Sequence, residues 1–483
     1  MALDPAAVVA RTHRAWDDEI QPALTDYIRV PALSPAFDPD WAAHGHLDAV
    51  VDAAALWAAS RAIDGLSIEV IRLAGRTPIL WFEVPEFPGD GNQGSKGVDA
   101  DTVLLYGHLD KQPPMEGWRE GLGPWDPVVI DDRLYGRGGA DDGYAAYASL
   151  AAIEAVQAEG GTHARCIGLI ECSEESGSPD LPAYVEHLAR RIGAPSLVVC
   201  LDSFCGDYER MWTTTSLRGL LGASLTVQVL DEGVHSGSAG GVVPDSFRIA
   251  RHLLDRVEDA ATGRVLVPEL WVEVPEGRTG EIAAVAADLG DALTSTYPYR
   301  GATQPVVPST DPAQQLTAKT WEPTLTVIGA DGLPPTQTAG NVLRPATALA
   351  LSFRLPPTVD ALLAARAVEQ ALTADPPHRA TVTVHIDSAE GGWDAPPTAP
   401  WLEEAMAAAS EATFGPPARS LGEGGSIPFM GMLGRRFPHA QFLLTGVLGP
   451  HSNAHGPNEF LHLPTARKLT AAVALVLDAH AAR

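Results

Sequence analysis

The chain has 483 residues, 45% of them apolar, and its 61 acidic against 33 basic side chains give a formal net charge of −28. That length exceeds what one hydrophobic core supports, so two domains are expected. The acidic balance argues against partners that are held by charge on nucleic-acid phosphates or an anionic membrane surface.

No run of about 18 uninterrupted apolar residues occurs, so no membrane span is expected. Residues 1–20 carry Asp4, Arg11, Arg14, Asp17 and Asp18 and lack the apolar centre of a signal segment. Cys166, Cys172, Cys200 and Cys205 show no CxxC spacing and read as buried, reduced thiols of a cytoplasmic protein.

In chain order, residues 88–97 hold four glycines among mixed charges and predict a surface loop. Short, continuously apolar runs at 102–106, 166–170, 197–201 and 442–447 predict strands buried on both faces, as in a parallel sheet. Residues 144–158 and 181–191 lie between them with apolar positions at helical spacing. The alternation predicts an α/β fold: a mostly parallel sheet with helices on both faces.

The pattern changes after residue 215. Leu221, Ala223, Leu225, Val227 and Val229 alternate with smaller or polar residues, as do Val382, Val384 and Ile386. Such period-2 alternation predicts half-exposed antiparallel strands. Helical patterns at 245–257 and 359–373 and strand-like runs at 324–328 and 348–353 complete the order strand, helix, strand, strand, helix, strand. That is the split βαβ order of a ferredoxin-like α+β domain. Residues 215–388 are therefore predicted to be an inserted domain, with 1–214 and 389–483 forming the other. Residues 268–323, rich in proline and polar side chains and with one helical piece at 281–293, read as an elaboration of the insert.

The chemistry-bearing residues fall at predicted strand ends. His108 follows the first strand, Glu174 and Glu175 the second, Asp202 the third, and His455 comes a few residues after the fourth. Open α/β sheets bind ligands outside the carboxyl ends of their strands, so these distant residues are expected to converge. Imidazole and carboxylate donors suit zinc, with manganese or cobalt as substitutes. Asp141 and Asp142 repel each other in a glycine-rich loop unless a cation neutralises them. Asp141 suits a bridge between two metals, one oxygen to each. Asp110 is placed to accept the second ring N–H of His108. Glu174 is placed to act as general base on the attacking water. Asp142 reads as a cap for the helix that begins near Gly143, or as a group that supports a metal ligand. His451 competes with His455 in the same loop.

Six segments then carry a resemblance. They are Tyr-Gly-His-Leu-Asp ending at Asp110, Gly-Arg-Gly-Gly-Ala-Asp-Asp ending at Asp142, and Glu-Glu-Ser-Gly-Ser ending at Ser178. Val-His-Ser-Gly ending at Gly237, Glu-Gly-Gly-Ser-Ile-Pro ending at Pro428, and Asn-Ala-His-Gly-Pro-Asn-Glu ending at Glu459 follow in order. The chain resembles the aminoacylase/carnosinase/glutamate carboxypeptidase family of co-catalytic zinc metallopeptidases, bacterial dipeptidases included. The resemblance implies a zinc-peptidase-like catalytic domain and a lid that also dimerises, hence a homodimer through the insert. It implies His108 and Asp202 on one metal, Glu175 and His455 on the other, and Asp141 between them. It further implies that His235 stabilises the oxyanion, in its own subunit or across the dimer. Arg354 grips the substrate carboxylate, and Gly424, Gly425 and Ser426 offer donors to the substrate. The family pattern has a lysine after the two aspartates, where this chain has Gly143; that departure concerns substrate choice rather than reaction type.

The expected activity is hydrolysis of dipeptides or short peptides. An N-acyl-amino-acid deacylase uses the same machinery with another acyl pocket. A non-catalytic peptide-binding protein has no use for Glu174, and the complete set of ligands and base argues against it.

Overall fold

The computed structural model describes residues 3–89, 101–307 and 310–483. Most of the predicted loop at 88–97 therefore lies outside the described residues. The chain divides into two compact units, one comprising Met1–Thr215, Ala395–Leu421 and Met432–Arg483, the other Ser216–Asp394 and Gly422–Gly431.

The first unit is built on a six-stranded sheet. Its order is Ser67–Ile71, Ile79–Val84, Arg165–Glu171, Thr102–His108, Leu197–Cys200, Gln441–Leu444. The last four run parallel and are almost wholly buried, which is why their sequences are continuously apolar. The first two join antiparallel at the edge. Helix Tyr144–Ala158 matches its predicted span, and twelve of its 15 residues are buried. It is apolar all round because no face of it meets water. The final helix, Leu463–Ala482, is buried in the same core. The predicted helix at 181–191 is broken at Leu188 into Leu181–His187 and Ala189–Ile192. Helices Pro5–Ala15, Gln21–Ile28 and His46–Ala59 are additions to the predicted pattern. The Trp16 indole nitrogen of the intervening turn donates to Thr470 Oγ1 at 2.8 Å, which ties the N-terminal region to the last helix.

The second unit holds a four-stranded antiparallel sheet in the order Thr324–Asp331, Ala346–Leu355, Gly219–Gln228, Thr381–Glu390. Numbered along the chain this is 2-3-1-4, the arrangement expected of a ferredoxin-like domain. Leu221, Ala223, Leu225 and Val227 face inward, as do Leu349, Leu351, Phe353 and Leu355. Helices Ser246–Leu254 and Ala361–Thr373 pack on that face. Each starts where an aspartate caps it: Asp245 accepts from Arg248 N, and Asp360 from Leu362 N and Leu363 N. The elaboration is more helical than its proline content suggests, with Glu276–Leu289, Ala292–Ser295 and Pro312–Thr320. Pro312 stands at the first turn, where its missing N–H costs nothing, and Asp311 caps it through Gln314 N.

Candidate metal centre

Parallel pairing brings the carboxyl ends of three strands together in the first unit. His108 ends Thr102–His108, Asp202 follows Leu197–Cys200, and Glu174 and Glu175 form the turn Glu174–Ser176 beyond Arg165–Glu171. His108 Nε2 lies 3.5 Å from Asp141 Oδ1, 3.8 Å from Asp202 Oδ2 and 3.9 Å from Glu174 Oε2. His455 Nε2 lies 3.0 Å from Asp141 Oδ2 and 3.4 Å from Glu175 Oε2. Two sets result, His108–Asp141–Asp202 and Asp141–Glu175–His455, each with one donor atom per residue inside 4.8 Å of the others. Asp141 belongs to both, with a different oxygen towards each histidine. His451 is exposed and belongs to neither set.

The electrostatics call for cations. Four carboxylates, from Asp141, Asp202, Glu174 and Glu175, crowd two imidazoles, and among the described residues no lysine or arginine is ion-paired with them. Burial raises the Asp202 carboxyl to about 6. Burial, with the charges of neighbouring carboxylates, also drives Glu174 and Glu175 well above the usual range. Burial pushes Asp141 the same way, but the pull of the His108 and His455 rings beside it outweighs burial and holds the group low. Burial lowers His108, and the neighbouring Asp110 and Asp141 more than reverse that. His108 Nε2 is buried without a hydrogen-bond partner among the described residues. A buried ring nitrogen with no partner, facing an excess of carboxylate, is the donor set a divalent cation completes.

Asp110 lies beside the second ring nitrogen of His108 and also binds the glutamate turn. Its own carbonyl oxygen is nearest to His108 Nδ1, at 3.1 Å, with its carboxylate Oδ1 at 3.5 Å. The two carboxylate oxygens accept the backbone N–H groups of Glu174, at 3.1 Å, and Glu175, at 3.0 Å. Asp110 therefore anchors the glutamate turn to the histidine strand. Asp142 does not cap the following helix: no side chain caps it, and neither Asp142 oxygen has a well-formed hydrogen bond among the described residues. Its carboxyl packs against Gly107, where an added Cβ would lie 2.9 Å from Oδ2. At Gly143 a Cβ would lie 2.2 Å from Tyr27 Cε1, so the Tyr27 ring fills the space a lysine side chain would enter. The buried Lys111 stacks its Nζ 3.9 Å above that ring and donates to the carbonyls of Tyr27 and Val30, both at 2.7 Å.

Several supports escape the sequence pattern. Arg137 and Glu459 form a buried ion pair, Nη1 to Oε2 at 2.5 Å. Arg137 Nη2 also donates to Gly456 O, and Gly138 N donates to Glu459 Oε1. Strand Phe460–His462 pairs with Arg133–Tyr135 just behind. The loop bearing His455 is thereby clasped to the loop bearing Asp141. Gln112 Nε2 donates to Glu175 Oε2 at 2.7 Å. Glu171, the last residue of its strand, accepts from Tyr106 Oη, Ser178 Oγ and Ser173 Oγ, and burial lifts its carboxyl to about 7. The signal available was a glutamate that closes an otherwise apolar strand, with serines two and seven positions on.

The other candidates belong to the second unit. His235 is exposed, and its Nδ1 accepts from Gly237 N. Arg354, half-buried, donates from Nη1 to Ser426 Oγ at 3.1 Å. Gly424 and Gly425 turn their carbonyls to Arg218, which sequence reasoning did not single out. Its Nε donates to Gly424 O and its backbone N to Gly425 O, both at 3.0 Å. Burial, then the charge of Arg354, lowers the Arg218 guanidinium to about 10.

Two donor sets that share a carboxylate, at the strand ends of a mostly parallel sheet, suit a pair of divalent metals acting in hydrolysis. The chain belongs to peptidase family M20/M25/M40, whose model matches residues 104–479. It is 31% identical over 378 residues to a cysteinylglycine-S-conjugate dipeptidase of Corynebacterium striatum, covering 75% of this chain and 77% of that one. The dipeptidase Dug1p from Saccharomyces cerevisiae shares the fold with a TM-score of 0.76 at 19% identity, over 100% of both chains. Human carnosine dipeptidase 1 gives 0.75 at 20% identity, over 99% of both. The protein is thus a metallopeptidase of this family, dependent on divalent metal. None of its helices is long and apolar enough to cross a membrane among the described residues.

Proposed function

We propose that the protein is a dinuclear metallodipeptidase whose substrate presents a free terminal carboxylate. Asp141 carries this reading, because its two oxygens face two separate sets of donors. His108 and Asp202 would hold one ion and Glu175 and His455 the other, and zinc best suits these donors. When bound, the ions supply Lewis-acid polarisation of the scissile carbonyl and acidify the attacking water.

Glu174 stands outside both ligand sets, with Oε2 3.9 Å from His108 Nε2, where it can act as the base. It takes the water proton as the water oxygen bonds to the carbonyl carbon. The C–N bond then breaks, and Glu174 passes the proton to the leaving amine. Arg354, beside Ser426, receives the substrate carboxylate, for which its planar guanidinium is suited. Exposed His235 is assigned to the oxyanion. The unit Ser216–Asp394 serves as lid and dimer contact; Val327 and Ile328, exposed on its edge strand Thr324–Asp331, offer an apolar surface for a second copy. Four free, buried cysteines suit a cytoplasmic setting.

The similarity to a bacterial dipeptidase favours dipeptides over N-acyl amino acids. A metal-reconstituted turnover screen of both substrate classes, with Glu174→Ala alongside, tests the reading. Dipeptides should be cleaved, and the variant should lose on the order of 10³-fold or more in kcat while keeping its metal. Undiminished turnover by Glu174→Ala refutes the mechanism.

A further inference from the structure

The second unit contains an apolar cavity of about 150 Å³ formed by the elaboration, with Leu293, Tyr297, Val307 and Leu316 among its walls and Lys319 at one side. Gln315 lines it too, and is more than nine-tenths buried. Its Nε2 donates to Val307 O at 3.0 Å, whereas its Oε1 is buried with no hydrogen-bond partner among the described residues. A buried carbonyl oxygen left unpaired beside an apolar hollow is a standing cost that a ligand donor removes.

The cavity adjoins the strip Gly424–Ser426. A Cβ on Gly424 would lie 2.9 Å from Lys319 O, 3.1 Å from Lys319 Cγ and 3.2 Å from Arg218 Nη2, so Lys319, which lines the cavity, packs directly on the strip. Tyr297 stands within electrostatic reach of the Arg218 guanidinium. The strip continues to Ser426, which accepts from Arg354. An apolar hollow with one unpaired acceptor therefore lies along the same strip as the arginine assigned above to the substrate carboxylate.

We infer that this cavity is a specificity pocket for the side chain of the carboxylate-bearing substrate residue, and that it takes a tyrosine-like aromatic ring whose hydroxyl donates to Gln315. The inference rests on the reading of Arg354 given above. Size supports it, since a cavity near 150 Å³ with aliphatic walls accommodates a benzene ring. Chemistry supports it as well: a phenol supplies the donor that Gln315 lacks, and phenylalanine does not.

The test compares kcat/KM for Ala-Tyr, Ala-Phe and Ala-Gly in the metal-loaded enzyme. The wild type should favour Ala-Tyr over Ala-Gly by about tenfold or more and over Ala-Phe by several-fold. Thr294→Trp, which fills the cavity from its wall, should lower Ala-Tyr turnover about tenfold and leave Ala-Gly within about twofold. Gln315→Leu should erase the preference for tyrosine over phenylalanine. Unchanged Ala-Gly turnover shows that each variant is folded, and thermal melts check the same point. Equal treatment of Ala-Tyr and Ala-Gly by the wild type overturns the inference, as does a Thr294→Trp effect that is the same on both. Failure of the dipeptide reading looks different: no dipeptide is cleaved. The comparison then moves to N-acetyl-tyrosine against N-acetyl-glycine, which carry the same side chains beside the same carboxylate, and equal turnover of those two overturns it.

Discussion

The two units handle charge differently: the first crowds carboxylates together, and the second sets two arginines near each other with Glu423 and Glu390 in reach of one of them. In the first, Asp141, Asp202, Glu174 and Glu175 converge; in the second, Arg218 lies within reach of Arg354. The acidic cluster is assembled from loops at several strand ends, so its geometry depends on clasps such as Arg137–Glu459 and the Asp110 bonds to the glutamate turn. Arg218 is held by backbone carbonyls from two places, Gly424 and Gly425 on the strip and Glu322 just past the end of a helix. Carboxylates relieve crowding by taking up protons, as the raised Glu174, Glu175 and Asp202 show. Guanidinium groups have little such escape, and Arg354 instead has Glu423 and Glu390 within electrostatic reach. The acidic cluster thus lacks the positive charge that a metal ion brings, whereas Arg354 already has carboxylates in reach.

The largest effect is expected from Asp141→Asn. It removes the one carboxylate common to both donor sets, so bound metal measured by plasma emission should fall at both sites, and activity should fall by about 10⁴-fold or more. Retention of two metals would break the comparison at its root. Arg137→Met should come next. It leaves Glu459 buried without its partner, and chemical denaturation should show a loss of about 3–5 kcal/mol. A loss below about 1 kcal/mol would mean that the clasp does not hold the acidic loops.

A third measurement separates the acid response of the cluster from that of the whole fold. His480 is fully buried, accepts from or donates to Ser196 Oγ at 2.8 Å, and burial lowers it to about 4. The unfolded chain therefore binds its proton near pH 6.5 and the folded chain only near 4, so stability falls as pH drops between those values. The full contribution is about 3 kcal/mol. His480→Gln should flatten the denaturation profile across that window by a comparable amount; an unchanged slope would remove His480 from the account. The smallest effect is expected from Arg354→Lys. KM for dipeptides should rise about 10- to 100-fold with kcat nearly kept, while C-terminal amides should be far less affected. An equal effect on amides would show that Arg354 does not hold the carboxylate.

Much of this was legible in the chain itself because it depends on local pattern. Continuous apolar runs marked the parallel strands, alternation marked Gly219–Gln228 and Ala346–Leu355, and helix Tyr144–Ala158 followed from its spacing. Strand-end placement pointed to His108, Glu174, Glu175, Asp202 and His455, and the paired aspartates to a shared ligand.

What the tertiary structure alone decided depends on partners far apart in the chain. Arg137 meets Glu459 across 322 positions, and Arg218 meets Gly424 across 206. No local periodicity encodes such a pairing. The cap expected of Asp142 was the local solution, and the fold overrode it by turning that carboxyl against Gly107. Gly143 is likewise explained only by the ring of Tyr27, which occupies the space beside it. The sequence by itself determined the donor types and their strand ends, because periodicity and residue chemistry are local. Which oxygen faces which histidine, and what clasps the loops, was set by packing between distant segments.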